Sequence, residues 1–121
     1  MTERMEHQVR DNVERKRFEI DLGDGTFAFT DYDLPRGKIL FKHTEVPESH
    51  EGKGLGSALI RAALAAARER GLAVIPICPF FAAYMQRHPE EHDVLDDAWK
   101  TRFGVRQEAG SRPPGGSGGT P

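Results

Sequence analysis

The chain has 121 residues, a formal net charge of −2 and a single cysteine, Cys78. This length predicts one domain, the absence of a basic excess argues against a nucleic-acid partner, and one cysteine excludes an internal disulfide. No apolar run approaches the roughly 20 residues of a membrane span, and the polar first residues lack the apolar core of a signal peptide. We therefore expect a cytoplasmic protein with no membrane partner.

Both ends of the chain are poor in residues that build a core. Residues 1–13 are strongly charged, and the last residues are a run of Gly, Pro and Ser. Segments of this composition bury too little apolar surface to become ordered. We expect a flexible N-terminus over residues 1–13, a folded domain over 14–100 and a disordered tail over 101–121.

Three β-strands are predicted in the first part of the domain, over residues 16–22, 26–32 and 38–46. Glycine-containing turn signals separate them, and such short connections favour an antiparallel meander. The apolar members are Phe18, Ile20 and Leu22 in the first, Phe27, Phe29 and Tyr32 in the second, and Ile39, Phe41 and Val46 in the third.

The pattern then changes to helical spacing. Residues 56–70 form an Ala- and Leu-rich amphipathic run that Gly71 ends, and residues 72–77 are a nearly continuous apolar strand. Strand, helix and strand make a βαβ unit, which sets the last strand parallel to residues 38–46. A short helix from Pro79 and a third amphipathic helix follow. The predicted fold class is α/β (α+β), with a mixed sheet.

A glycine-rich loop joins the meander to the first helix. Gly52, Gly54 and Gly56 alternate there, and a backbone without Cβ atoms can turn successive N–H groups into one concavity. The free amides and dipole of the following helix favour a phosphate at this place. A Rossmann fingerprint does not fit the spacing, and no Lys-Ser/Thr pair follows for a Walker loop. A purely structural turn remains the alternative.

Pro76 interrupts the last strand, because proline has no N–H to donate to a neighbouring strand. One explanation is an edge strand or a bulge. The other is a pair of parallel strands that splay apart and leave a slot for a ligand. Pro47 ends the partner strand at the same level, which suits the second explanation.

Four segments in this order resemble the small YjdJ-type branch of the GCN5-related N-acetyltransferases (GNATs). They are Phe-Lys-His-Thr-Glu-Val-Pro at 41–47, Glu-Gly-Lys-Gly-Leu-Gly-Ser-Ala-Leu at 51–59, Ile-Cys-Pro-Phe at 77–80 and Arg-His-Pro-Glu at 87–90. The resemblance spans residues from about 15 to 95 and implies a minimal GNAT fold that binds acetyl-CoA.

In this resemblance the pyrophosphate of CoA lies on the loop amides and the pantetheine arm lies in the slot along the third strand. Glu51 departs from the family pattern, which has Gln or Arg at that position. The implied cofactor-binding residues are Glu45, Val46, Glu51, Gly52, Lys53, Gly54, Leu55, Gly56 and Ser57.

Acetyl transfer to an amine requires a base for the acceptor and a proton for the departing thiolate. His43 and Glu45 share one strand face and are candidate bases. Cys78 precedes a helix N-terminus, a favourable place for a reactive thiol that either accepts the acetyl group or protonates the leaving sulfur. Tyr84 is a second candidate acid. For each of these the alternative is an ordinary packing or surface role.

No metal site is predicted, since Pro89 interrupts the His88–His92 spacing and no fourth ligand is apparent. The resemblance implies a pair of helices that completes the acceptor site in larger relatives, and we expect this chain to lack them because only about 15 residues precede its first predicted strand. We therefore expect an amine acceptor on a protein or peptide, and a monomer or weak homodimer. The alternative function is a CoA-binding sensor or regulatory module without transferase activity.

Overall fold

The computed structural model describes residues 8–105, which form one five-stranded sheet with helices packed on it. The strands are β1 (Arg10–Asn12), β2 (Arg17–Asp21), β3 (Phe27–Asp33), β4 (Lys38–Glu45) and β5 (Ala73–Pro76), and the helices are α1 (Leu55–Arg70), α2 (Pro79–Arg87) and α3 (Asp97–Arg102). Short 3-10 segments occupy Glu48–His50 and Pro89–Val94.

The sheet has the simple order β1-β2-β3-β4-β5. Each of the first three pairings is antiparallel, whereas β4 and β5 are parallel and are joined through α1. This confirms the predicted mixed sheet, in which an antiparallel meander is followed by a βαβ unit. A parallel pair needs a long crossover, which α1 provides.

The core lies on one face of the sheet, under α1 and α2. Phe41 of β4 is fully buried, and its ring stacks on Phe81 of α2 with centroids 4.1 Å apart. The α1 side chains that enter the same core recur at helical spacing. They are Leu55, Leu59, Ile60, Ala63, Leu64 and Ala67.

Strand β1 corrects the expected N-terminal boundary. Its residues fall inside the segment 1–13 that we expected to be flexible, yet Arg10 pairs with Glu19 and Asn12 with Arg17. The C-terminal boundary also moves, because α3 runs to Arg102, beyond residue 100. The remaining parts of the two segments, residues 1–7 and 106–121, lie outside the described residues.

Polar contacts attach β1 to the sheet. Glu19 is 2% exposed, and its carboxylate accepts hydrogen bonds from Arg10 at 2.6 Å, Arg17 at 2.8 Å and Asn12 at 3.2 Å. Burial alone raises the pKa of Glu19, but these hydrogen bonds outweigh burial and hold the pKa below its usual value. A charged strand therefore joins the fold through a buried carboxylate, which composition alone does not reveal.

The two faces of β3 lie in different surroundings. Ala28, Thr30 and Tyr32 point into the core, whereas Phe27 and Phe29 are only partly buried on the other face. There the Arg17 guanidinium lies 4.4 Å from the centre of the Phe29 ring. A cation on an aromatic face is favourable, so two phenylalanines can stay outside the main core.

A β-bulge divides β4 into two halves. Tyr32 pairs with Phe41, but Asp31 pairs with His43, which leaves Lys42 as an extra residue. An extra residue reverses the alternation of side chains beyond it. Phe41 and Thr44 consequently both face the core side of the sheet, and His43 faces the opposite side.

Candidate cofactor and acyl-transfer site

Strands β4 and β5 separate half-way along β4. Their parallel pairing begins at Lys38 with Ala73 and ends at Phe41 with Pro76. One further bond follows, from the Cys78 N–H to the Phe41 carbonyl at 2.9 Å. Beyond this point β4 continues to Glu45 without a β5 partner, so its edge is open.

A cavity of about 520 Å³ lies at this opening. Its walls come from the end of β4, from the loop before α1 and from α2. The lining residues are Thr44, Glu45, Val46, His50, Glu51, Gly52, Gly54, Leu55, Gly56, Ser57 and Phe80. Every residue expected to bind the cofactor lines this one cavity except Lys53, which lies between two lining glycines.

The glycines of the loop serve different geometric needs. Gly52 and Gly54 have φ angles of +85° and +76°, in the positive-φ region that residues with a Cβ rarely adopt. Gly56 has no such angle, but a Cβ at this position would lie 2.5 Å from the Phe80 ring. No side chain caps the N-terminus of α1, whose N-cap is Gly54. Its first amides therefore remain available to an anion in the cavity.

A chain of hydrogen bonds leads from Cys78 to the cavity wall. The Cys78 thiol, 3% exposed, donates to the Thr44 hydroxyl at 3.4 Å, and Thr44 donates to Thr30 at 2.9 Å. Thr44 lines the cavity whereas Cys78 lies behind it. The thiol is thus placed to exchange a proton with the cavity through one hydroxyl group.

His43 and Glu45 lie on the opposite face of β4. The His43 Nε2 and Glu45 Oε1 atoms are 3.2 Å apart, and the two side chains are 59% and 60% exposed. The bulge decides which face each residue takes, because it turns Thr44 inward and His43 outward. The open end of β4 therefore carries a histidine–carboxylate pair on one face and a thiol–hydroxyl pair on the other.

A family model described as GCN5-related N-acetyl-transferase matches residues 17–94, more than half of the chain. The chain belongs to this family. The match confirms the family that the sequence motifs indicated, and it assigns an acyl-transfer domain to the strands, loop and helices just described. The YjdJ-type branch stays a prediction. No curated protein matches the chain.

Tyr84 is a buried residue of α2 in this GNAT domain. It is 4% exposed, and its ring stacks on His88 with centroids 4.1 Å apart. It does not line the cavity. Tyr84 lies on α2 and Cys78 directly precedes it. Only Cys78 is hydrogen-bonded to a residue that lines the cavity, so the two candidate acids do not share one site.

Three residues of the GNAT cavity were not singled out from the sequence: Thr44, His50 and Phe80. The His50 Nε2 atom lies 3.0 Å from Asp24 Oδ2, and the Lys53 ammonium donates to His50 Nδ1 at 3.3 Å. Hydrogen bonds from Thr26 and then from His50 lower the pKa of Asp24. The sequence places Asp24 in a hairpin turn 26 residues before His50, so no local signal connects them.

Two further features of the domain concern metals and membranes. Within residues 8–105, no three metal-ligating side chains come together. His88 contacts Glu90 and His92 contacts the Met85 carbonyl. Across the same stretch, no helix combines the length and the hydropathy that a membrane crossing requires.

Proposed function

We propose that this GNAT-family chain is an acetyl-CoA-dependent N-acetyltransferase whose acceptor is an amine of a protein or peptide. One observation carries the proposal. The unpaired end of β4 opens on the same cavity as the glycine loop and the uncapped N-terminus of α1. An extended amide-containing arm and a pyrophosphate, joined in one molecule, match these two features in order.

The residues present suit the two polar parts of acetyl-CoA. The pyrophosphate fits the amides of residues 52–57, since Gly52 and Gly54 allow the backbone to curl and the dipole of α1 attracts an anion. The pantetheine amides fit beside Glu45 and Val46, where β4 lacks a neighbouring strand. Backbone edges of this kind bind extended ligands as an added strand would.

Acetyl-CoA, when bound, supplies a thioester carbonyl that an unprotonated amine can attack. His43 and Glu45 are exposed and adjacent, so this pair is suited to take the proton from the acceptor amine directly or through a water molecule. As the acetyl carbon bonds to nitrogen, its bond to sulfur breaks. Cys78 is suited to return a proton to that sulfur through Thr44. Alternatively the Cys78 sulfur accepts the acetyl group first, its proton passes to the departing CoA sulfur, and the amine then takes the acetyl group and releases the Cys78 thiol.

The acceptor side is shallow. His43 and Glu45 stand on an exposed strand face, which gives a small amine little enclosure but leaves room for a chain carrying the amine. We therefore propose a protein or peptide acceptor, and acetylation of small polyamines with no turnover of any peptide amine would contradict that choice. We further propose a cytoplasmic monomer or weak homodimer. Sedimentation of the native protein tests the oligomeric state, and cell fractionation tests the location.

Cofactor binding is tested first by a thermal shift with CoA. At about 100 times Kd, binding adds about 2.7 kcal/mol of stability and raises Tm by roughly 10 °C in a domain of this size. Gly54→Val should remove the shift. Gly37→Val is the matched control, because Gly37 also has a positive φ, +71°, with open space around it, but lies in the turn before β4. Equal shifts in both variants would contradict the loop assignment.

A CoA-binding module without transferase activity is the second candidate. The burial of Cys78 behind Thr44 favours it, because a thiol excluded from the cavity is poorly placed as a nucleophile. Intact mass after incubation with acetyl-CoA separates the two functions. If the native protein gains the mass of an acetyl group and Cys78→Ser does not, the chain is an acyl-cysteine enzyme. Tight CoA binding without transfer to peptides or polyamines indicates the module.

A further inference from the structure

Three charged or titratable side chains from separate segments meet at the glycine-loop end of the cavity. His50, whose side chain is 16% exposed, lines the cavity between Asp24 of the β2–β3 turn and Lys53 of the loop. The distances are 3.0 Å from His50 Nε2 to Asp24 and 3.3 Å from Nδ1 to Lys53. None of these contacts is needed to form the sheet or its core.

The two contacts match one neutral tautomer of His50. The Lys53 ammonium can only donate, so in this tautomer Nδ1 is the unprotonated acceptor and Nε2 donates its hydrogen to Asp24. A second proton, on Nδ1, would face the ammonium directly. The arrangement then holds two adjacent cations, and an anion between them would stabilise it.

We propose that His50 and Lys53 form a proton-linked phosphate site for the cofactor pyrophosphate, with Asp24 as the positioning residue that orients His50. This inference rests on the proposed CoA binding and adds side chains to a site so far assigned to backbone amides. The loop itself carries an acidic residue, Glu51, so the positive charge of the site comes from Lys53 and from His50 before the loop.

The sign of the pH dependence follows from charge. A phosphate oxygen that accepts from both His50 Nδ1 and Lys53 stabilises the protonated imidazole, so binding takes up a proton. Affinity should therefore rise as pH falls through the range near 6.5 in which imidazoles titrate. Asp24 contacts His50 from the turn, and the acidic residues that line the cavity with His50 are Glu45 and Glu51.

Calorimetric titration of the full chain with dephospho-CoA measures this linkage. This probe keeps the pyrophosphate but lacks the 3′-phosphate, whose own titration near about pH 6 would confuse the result. From about pH 8 to about pH 5.5 we expect Kd to fall on the order of tenfold, the effect of one added charge near a surface phosphate. His50→Gln should abolish the slope. His88→Gln should keep it, because His88 also pairs with a carboxylate, Glu90, but does not line the cavity.

Two further variants separate positioning from simple structural support. Asp24→Asn removes the carboxylate that favours the imidazolium and should move the midpoint of the pH profile to lower pH. Lys53→Gln removes the opposing cation and should move the midpoint to higher pH while weakening binding at pH 8. A structural role alone would change affinity without moving the midpoint.

The outcomes are distinct. Binding of dephospho-CoA with a flat pH profile, or a slope that survives in His50→Gln, overturns this inference and leaves the proposed function standing. Absence of binding at every pH overturns both. A slope lost in His50→Gln, with midpoints displaced in opposite directions by the Asp24 and Lys53 variants, supports the proton-linked site.

Discussion

Gly56→Ala tests whether the contact between α1 and α2 shapes the cavity. Gly56 is the second residue of α1, and a Cβ there would lie 2.5 Å from Cε2 and 2.6 Å from Cζ of Phe80. Carbon atoms normally approach to about 3.5–4.0 Å, so the ring must move by about 1 Å. Phe80 is 45% exposed and can swing outward, which keeps the strain below that of a buried clash.

Two opposing free energies determine the result. Displacing the ring costs about 1 kcal/mol, the low end for overpacking, and replacing glycine by alanine in a helix returns about 0.5 kcal/mol. We expect Gly56→Ala to lower the free energy of unfolding by about 0.5 kcal/mol in the native background. In a Phe80→Ala background, where the ring is gone, the same change should raise it by about 0.5 kcal/mol.

Urea unfolding of the four proteins gives the double-mutant cycle. The expected coupling between Gly56 and Phe80 is about 1 kcal/mol. A coupling below about 0.3 kcal/mol would refute the steric argument. A loss above about 3 kcal/mol in both backgrounds would show instead that the backbone at Gly56 cannot accept a side chain at all. CoA affinity, measured on the same proteins, should fall in Gly56→Ala because the displaced ring belongs to the cavity wall.

Glu19→Gln should cost about 1–3 kcal/mol at pH 7. Since the folded-state pKa of Glu19 is lowered, its contribution is present above the unfolded value of about 4.3 and is lost as pH falls below it, so urea unfolding should show the variant and native curves converging in acid. Burial and the hydrogen bond to Asp11 raise the pKa of Tyr32 to about 12. Its contribution is complete below about pH 10 and is lost above that, so Tyr32→Phe should flatten the alkaline fall in stability; an unchanged fall would assign it to other groups. Gly54→Ala should cost about 1–2 kcal/mol through its positive φ alone, because open space surrounds the position, and Gly54→Asn should cost less; equal losses would point away from φ.

Much of the architecture could be predicted from local pattern. Alternation identified three strands, helical spacing and Gly71 identified α1, and four short motifs indicated the family that the comparison confirmed. The glycine loop was visible because a turn into a helix needs residues without Cβ atoms, and this requirement is satisfied within a few consecutive positions.

The faces of the strands could not be read in the same way. Phe29 is an apolar member of β3 but lies outside the main core, where Arg17 packs on its ring, while Glu19 and its arginines bring a charged segment into the sheet as β1. These outcomes depend on partners across strands. Hydropathy measures each residue alone and does not register a cation on a ring or a buried ion pair.

The sequence by itself determined the order of the elements from β2 to α3, the glycine-rich loop before α1 and the break at Pro76. Only the tertiary structure decided which side chains meet there. The bulge at Lys42 turns Thr44 toward the core and His43 away from it, and the β2–β3 turn brings Asp24 to His50. The physical reason is that an added residue reverses every later side chain in a strand, and strand pairing joins positions far apart in the chain.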